Sequence, residues 1–214
     1  NKMVPSSYRR LPITTKKGEL TGIVTYSDIL GALLRGLTKN TQLSTFMVKD
    51  VITCDGKDTI QDVIQKLKIS KRGGMPLVSN KRLIGMVEER DFVKLLLDKH
   101  LSIPVSETMT RKPLYIPKNI SVLTCTQTMI NTHYRRFPVV ENKKLVGIIT
   151  ALDILNYFNI INYNPILLNE SVEKIMKSPT FNVSEDNYKS LAVKLIIENK
   201  IGGLPVVLED NTLQ

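Results

Sequence analysis

The sequence predicts an α/β (α+β) protein made of tandem repeats of a strand-helix-strand-strand-helix unit. Three observations predict it. A hydrophobic-Pro element opens a short strand four times, at Leu11-Pro12-Ile13, Met75-Pro76-Leu77-Val78, Phe137-Pro138-Val139-Val140 and Leu204-Pro205-Val206-Val207, with prolines 64, 62 and 67 residues apart. Other residues keep register with them: a methionine 29 residues before the proline (Met47, Met109, Met176), a glycine nine or ten after it (Gly22, Gly85, Gly147) and an aspartate six beyond the glycine (Asp28, Asp91, Asp153). Within each unit, strand-like runs alternate with a three-to-four apolar spacing that marks helices.

Repeat 1 enters at its hairpin, because counting 29 residues back from Pro12 runs past position 1. Its first strand and most of its first helix are expected to be absent. Repeat 2 is complete. Val51-Ile52-Thr53-Cys54 is extended, and a helix follows in which Ile60, Val63, Ile64 and Leu67 form one buried face. Thr59 with Asp62 three residues on marks that helix's start. The strands Met75–Val78 and Leu83–Glu88 flank the polar turn Ser79-Asn80-Lys81-Arg82, and the closing helix carries Phe92, Val93, Leu95, Leu96 and Leu97. In repeat 3, Leu114-Tyr115-Ile116 is the extended piece and Ser121 opens the helix. In repeat 4, Thr180-Phe181-Asn182-Val183 is extended, but Tyr188 takes the capping place, so the helix is expected to start at Asp186. The sequence stops at Gln214, one residue before the next registered glycine, and the second hairpin strand and closing helix are expected to be missing. The chain thus reads as part of a longer polypeptide.

A repeat of about 60 residues is marginal alone and buries its faces against a second copy, so repeats act in pairs. The expected pairs are 1–98 (partial repeat 1 over 1–35, repeat 2 over 46–98) and 103–214 (repeat 3 over 105–158, partial repeat 4 over 172–214).

With 42% hydrophobic and 23% charged residues, the 214-residue chain falls in the globular class, not the disordered or collagen-like ones. No apolar run approaches the roughly 18 residues of a membrane span, and the N-terminal residues lack a signal peptide's apolar core. A cytoplasmic location without membrane association is the expectation. Lys and Arg outnumber Asp and Glu 30 to 20, for a formal charge of +10. That excess suits an anionic partner or a solvated basic surface. Cys54 and Cys125, 71 residues apart, match no metal-ligand spacing and read as buried thiols. The two histidines, His100 and His133, are too few for a histidine-rich metal site or a catalytic apparatus repeated in each unit, and His133 reads as a surface residue.

The repeat resembles that of the cystathionine β-synthase (CBS) domain family. The resemblance rests on the hydrophobic-Pro-Val-Val strand and on the Gly-hydrophobic-hydrophobic-Thr-x-x-Asp ending at Gly22-Ile23-Val24-Thr25-Tyr26-Ser27-Asp28 and Gly147-Ile148-Ile149-Thr150-Ala151-Leu152-Asp153. Two such repeats make a Bateman module. Four in one chain is the arrangement of stand-alone archaeal and bacterial CBS proteins and of the γ subunit of AMP-activated protein kinase. The resemblance implies a regulatory protein, not an enzyme, that senses adenine nucleotides (AMP, ADP, ATP) or an S-adenosyl compound in clefts between repeats. Such a ligand is a regulatory effector and no other cofactor is implied. A homodimer or a regulated partner protein would read the resulting change of angle.

The resemblance assigns Thr25 with Asp28 and Thr150 with Asp153 to a nucleotide's ribose and phosphate, the aspartate accepting ribose hydroxyls and the threonine donating to an oxygen. Helix capping uses the same residue types, and both roles stand open on residue type alone. Before the proline the odd repeats carry Tyr8-Arg9-Arg10 and Tyr134-Arg135-Arg136, the even ones Lys71-Arg72-Gly73-Gly74 and Lys200-Ile201-Gly202-Gly203. The arginines suit a phosphate or a solvated rim, and the glycines suit close approach of a base. Met109, Lys112 and Leu114 match family positions against the adenine. Repeat 2 keeps Asp91 but has Glu88 for the threonine, which disfavours a phosphate there, with Arg90 as a partial offset. Its cleft is expected to be empty or to hold a ligand without phosphate at that point. Against nucleic acid, the alternative for a basic chain, stands the absence of long Lys/Arg runs and of helix-turn-helix, zinc-finger or RNP patterns. A purely structural or oligomerisation module is the other alternative. No Ser/His/Asp set or Walker loop points to catalysis.

Overall fold

Short strands and capped helices alternate along the computed structural model, which describes Met3, 8–36, 40–95 and 102–214. The expected Leu96, Leu97 and His100 lie outside the described residues. The chain divides into two units, Asn1–Leu95 and Leu96–Gln214.

In the first unit, β1 (Arg10–Thr14) and β2 (Leu20–Thr25) form an antiparallel hairpin that leads into α1 (Tyr26–Leu34). After a 3-10 turn at Leu43–Thr45 come β3 (Cys54–Asp55), α2 (Ile60–Ser70), β4 (Gly74–Ser79), β5 (Arg82–Glu88) and α3 (Glu89–Lys94). The sheet order is β3-β4-β5, with β3 parallel to β4 and β4 antiparallel to β5. Asn80 and Lys81 both have positive φ, the left-handed pair that lets a two-residue turn follow the strand twist.

The second unit repeats this order. It contains β6 (Ile116–Pro117), α4 (Val122–Thr132), β7 (Arg136–Glu141), β8 (Lys144–Thr150) and α5 (Ala151–Ile160), then β9 (Val183–Ser184), α6 (Lys189–Glu198) and β10 (Val206–Val207). Its sheets are β6-β7-β8 and a parallel β9–β10 pair. Phe137, Val139, Ile149, Ile154, Val122 and Val172 are all but fully buried. Thr126, buried among them, donates its hydroxyl to Val122 O at 2.7 Å and so carries no unpaired polar atom into the core.

Within each unit the registered methionine and glycine are one joint. A Cβ on Gly22 would lie 2.7 Å from Met47 Sδ, and one on Gly147 would lie 2.7 Å from Met176 Sδ. Each methionine belongs to the repeat after the glycine's, and the bridges Ile23–Val48 and Ile148–Lys177 fix the two segments edge to edge. The hairpin turns meet as well: Leu20 N–H donates to Lys81 O and Leu83 N–H to Gly18 O, and likewise Leu145 to Asn211 O and Leu213 to Lys143 O.

Several expectations change. The first strands are shorter than their apolar runs, because only Cys54–Asp55, Ile116–Pro117 and Val183–Ser184 reach the neighbouring hairpin strand. On α2, Val63 and Leu67 are buried but Ile60 and Ile64 are 59% and 45% exposed, so the apolar stripe is wider than the face it buries. In α3, Phe92 and Val93 are half-buried while Leu95 is exposed. Helix α6 starts at Lys189, not Asp186: Asp186 lies in a turn closed by Ser184 N–H donating to Asn187 Oδ1, and the first helical N–H, Lys189, is satisfied by Ile103 O. The pairing of the second hairpin strand in repeat 4 has begun, with Leu213 bridging Val207 and Gln214 N–H donating to Val206 O. His133 is exposed as expected and serves as the left-handed C-cap of α4.

Candidate functional site

Each hairpin ends on the residue that caps the next helix, so the fold sets a threonine or its substitute beside the start of a helix three times. Thr150 is the N-cap of α5 and Asp153 its third residue. Asp153 Oδ2 accepts from Thr150 N–H at 2.8 Å and from Thr150 Oγ1 at 2.6 Å, and Thr150 Oγ1 accepts from Asp153 N–H at 3.3 Å. The hydroxyl's single proton is therefore committed to the carboxylate, which leaves Thr150 an acceptor rather than the donor that the sequence suggests. Capping and ligand contact divide between the two carboxylate oxygens: Oδ2 caps, and Oδ1 faces Lys177 Nζ at 3.7 Å. Asp153 is 9% exposed and Lys177 64%.

Repeat 1 copies the cap with Thr25 and Asp28 (Oγ1 to Oδ2, 2.8 Å). In repeat 2, Asp91 Oδ2 accepts Glu88 N–H at 2.9 Å and its Oδ1 is taken by Lys94 at 3.2 Å. Among the described residues, Asp91 alone of the three aspartates has both oxygens engaged with its helix or its cap residue.

The pre-proline residues lie beside these caps. Arg10 pairs with Thr25 and Arg136 with Thr150 across their hairpins, and Arg135 O accepts Ala151 N–H, the first amide of α5. Tyr8 and Tyr134 are exposed, Tyr134 meeting Phe137 edge-on at 6.2 Å. Met109, Lys112 and Leu114 occupy the approach to β6, which joins β7 and β8 in one sheet. Met109 is half-buried, Leu114 exposed, and Lys112 has a left-handed φ of 53°.

The glycines serve a different neighbour from the one expected. A Cβ on Gly74 would stand 2.5 Å from Arg10 Nη1 and 2.8 Å from Val87 O, and one on Gly203 would stand 2.5 Å from Arg136 Nη1. The room expected for a base at Gly203 is filled by the paired repeat's guanidinium, while Gly202 precedes it, exposed.

Glu88 is not a bare anion facing the cleft. Arg10 Nη1 lies 2.9 Å from its Oε1 and donates also to Gly73 O at 2.9 Å, and Arg90 Nη2 lies 3.7 Å from its Oε2. Burial and the charge of Arg90 lower the Arg9 pKa, and burial pushes the Tyr26 phenol up to about 12 against the pull of Arg9. Sequence reasoning missed Lys177 and Tyr26. Lys177 follows the registered Met176, a position held by Val48 and Thr110 in the other repeats, and Tyr26 stands where repeats 2 and 3 have Glu89 and Ala151. Among the described residues no cluster of His, Cys, Asp and Glu could hold a metal, and no helix is long and apolar enough to cross a membrane.

The chain is similar to protein MJ1225 of Methanocaldococcus jannaschii, 27% identical over 97% of this chain and 84% of that protein. A crystal structure of that protein, likened there to g-AMPK, superposes with a TM-score of 0.90 over 99% of this chain and 85% of its own. A conserved protein of Pyrococcus horikoshii, 18% identical, shares the fold at a TM-score of 0.68 over 98% of this chain and 87% of its own. Inosine-5'-monophosphate dehydrogenase of M. jannaschii is 32% identical over 111 residues, 51% of this chain but 22% of the enzyme, so the likeness leaves most of that enzyme aside. The CBS domain model matches residues 1–35, 43–98 and 105–160, more than half of the sequence, and the chain belongs to the CBS domain family.

Proposed function

We propose that this chain is a regulatory protein that binds an adenine nucleotide or a related adenosyl metabolite between paired repeats and passes occupancy to a partner as a change in their relative arrangement. The observation that carries this reading is the division of labour at Asp153. One oxygen closes the helix cap, and the other is turned toward Lys177 at the start of a helix, where two ribose hydroxyls could donate to it. Arg135 and Arg136 lie on the same edge, and the amino end of α5 adds partial positive charge for a phosphate. Membership of the CBS family and likeness to a protein compared with g-AMPK support the adenosyl class. Met109, Lys112 and Leu114 would line the base, Tyr134 the mouth, and Thr25, Asp28, Tyr8, Arg9 and Arg10 a second site in repeat 1.

Ligand control requires that the nucleotide favour one arrangement of the repeats over another. Titration calorimetry of the purified chain with AMP, ATP and S-adenosylmethionine tests the reading. Binding of one of them, weakened by Asp153→Ala, supports it, and heat-silent titrations with all three refute it.

A further inference from the structure

Matching turns of repeats 2 and 4 carry opposite charge. In the first unit the turn between β1 and β2 holds Lys16 and Lys17, the turn between β4 and β5 holds Lys81 with Arg82 beside it, and Lys57 follows β3. Backbone contacts gather these turns into one tip: Leu20 N–H donates to Lys81 O and Leu83 N–H to Gly18 O, both at 3.0 Å, and Glu19 bridges Arg82. The turn after β3 joins them, since a Cβ on Gly56 would lie 3.9 Å from Ile84 Cδ1. All five cations are exposed, and among the described residues none of them forms an ion pair. Of the acidic residues in these turns, Asp58 is held by Lys66, which leaves Glu19 and Asp55 against the five cations.

Repeat 4 reverses the sign at the same places. Aligned on Pro76 and Pro205, Asp186 takes the position of Lys57 and Asp210 that of Lys81, while Glu185 and Glu209 replace Gly56 and Asn80. Ser184 pairs with Val207 and so brings the two turns together. Ser184, Glu185, Asp186, Leu208, Glu209 and Asp210 line an open groove of about 410 Å³. Among the described residues, one of its four carboxylates meets a cation, Lys144 Nζ standing 3.9 Å from Asp210 Oδ2. The turns are joined by backbone bonds in both units, so the fold does not call for charge of either sign at these positions. Gathering like charges costs stability through self-repulsion, and an opposite surface relieves it.

We propose that the basic tip of the first unit docks into the acidic groove of repeat 4 on a second copy of this chain. Charge complementarity identifies the occupant, because projecting turns rich in lysine meet a groove of the same chain rich in carboxylates. The two patches differ, so the contact is heterologous and joins copies head to tail, as a ring or a filament. Exposed ion pairs each contribute little and are screened by salt, which makes the association weak and dependent on ionic strength. It uses none of the residues proposed for nucleotide binding and stands apart from that reading.

The test is sedimentation velocity of the full chain over a concentration series at low and high salt. The wild-type chain should self-associate at low salt, and the association constant should fall at least about tenfold at high salt, where the screening length shrinks to a few ångströms. Two double variants carry the specific test: Lys57→Glu with Lys81→Glu, and Asp186→Lys with Glu209→Lys, the latter sparing Asp210, whose Oδ1 accepts Thr212 N–H. Each alone should lose association by about tenfold or more through like-charge repulsion, and an equimolar mixture of the two should regain it. The wild-type salt series needs no variant and keeps the proposal open to refutation if either double variant misfolds. A wild-type chain that stays monomeric at low salt, association that neither salt nor the variants move, or variants whose mixture stays apart would overturn the proposal. Duplex DNA or anionic vesicles bound through Lys57 and Lys81 by a chain that remains monomeric would overturn it in favour of an anionic polymer or a membrane.

Discussion

Gly74 and Gly203 hold the same place in repeats 2 and 4, and the structure predicts that alanine there has unequal cost. At Gly74 the new Cβ would meet Arg10 Nη1 at 2.5 Å, Val87 O at 2.8 Å and Glu88 Cγ at 3.1 Å. Val87 O is backbone of β5 and cannot swing aside, and moving Arg10 breaks a partly buried pair with Glu88. Breaking a fully buried pair costs about 3–5 kcal/mol, this partly buried one less, and overpacking adds about 1–3 kcal/mol, so Gly74→Ala should destabilise the first unit by about 3 kcal/mol. At Gly203 the sole contact under 3.4 Å is Arg136 Nη1, the far end of a flexible side chain, and the next is 3.7 Å away. Gly203→Ala should cost about 1 kcal/mol or less. Because a chain of two units need not unfold in one step, the assay is hydrogen exchange of β4 and β5 peptides against β10 peptides in the full chain. Gly74→Ala should speed exchange around 74–88 by roughly a hundredfold, while Gly203→Ala changes 204–214 by less than about tenfold. Equal effects at the two glycines, or a silent Gly74→Ala, would refute the claim that the Arg10 packing sets this position.

Other outcomes follow from the same geometry. Asp153→Ala should weaken adenosyl binding by about 1–3 kcal/mol through loss of Oδ1, the oxygen that faces Lys177, and Asp153→Asn should retain part of the helix cap while losing affinity; unchanged affinity in both reduces Asp153 to a cap. Phe137→Ala, at a fully buried position, should cost about 3–5 kcal/mol in urea unfolding of the second unit. Burial pushes the Cys125 thiol up to about 12. Its folded pKa is above the unfolded value of about 8.5, so its contribution to stability is complete below pH 8.5 and lost as pH rises toward 12; a Cys125→Ala chain should show a shallower alkaline loss. The Thr59 hydroxyl and amide hold the Asp62 carboxyl below the usual range. Its contribution is present above about pH 3.9 and lost as pH falls through the lower folded value, so Asp62→Asn should flatten the acid limb of the stability curve.

The repeat was legible because Pro, Met, Gly and Asp recur in register, but register does not name a partner. Met47 and Gly22 belong to different repeats, and only their contact shows that the recurring spacing serves the joint between repeats. Helical spacing marked Ile60 and Ile64 as apolar without telling which part of the stripe is covered, and both are exposed. At the site, Thr150 and Asp153 were readable from the motif, and Lys177 was not, since it comes from the repeat that follows. Glu88 could be seen to break the pattern, whereas its capture by Arg10, 78 residues away, depends on how the two repeats pair.

The most direct test of the nucleotide reading is calorimetric titration of the wild-type chain with AMP, beside Asp153→Ala at equal fold stability. The account predicts saturable binding that Asp153→Ala weakens by roughly tenfold or more, as expected for a lost charged hydrogen bond. Saturable binding that Asp153→Ala leaves unchanged, or no binding of AMP, ATP or S-adenosylmethionine, would contradict it.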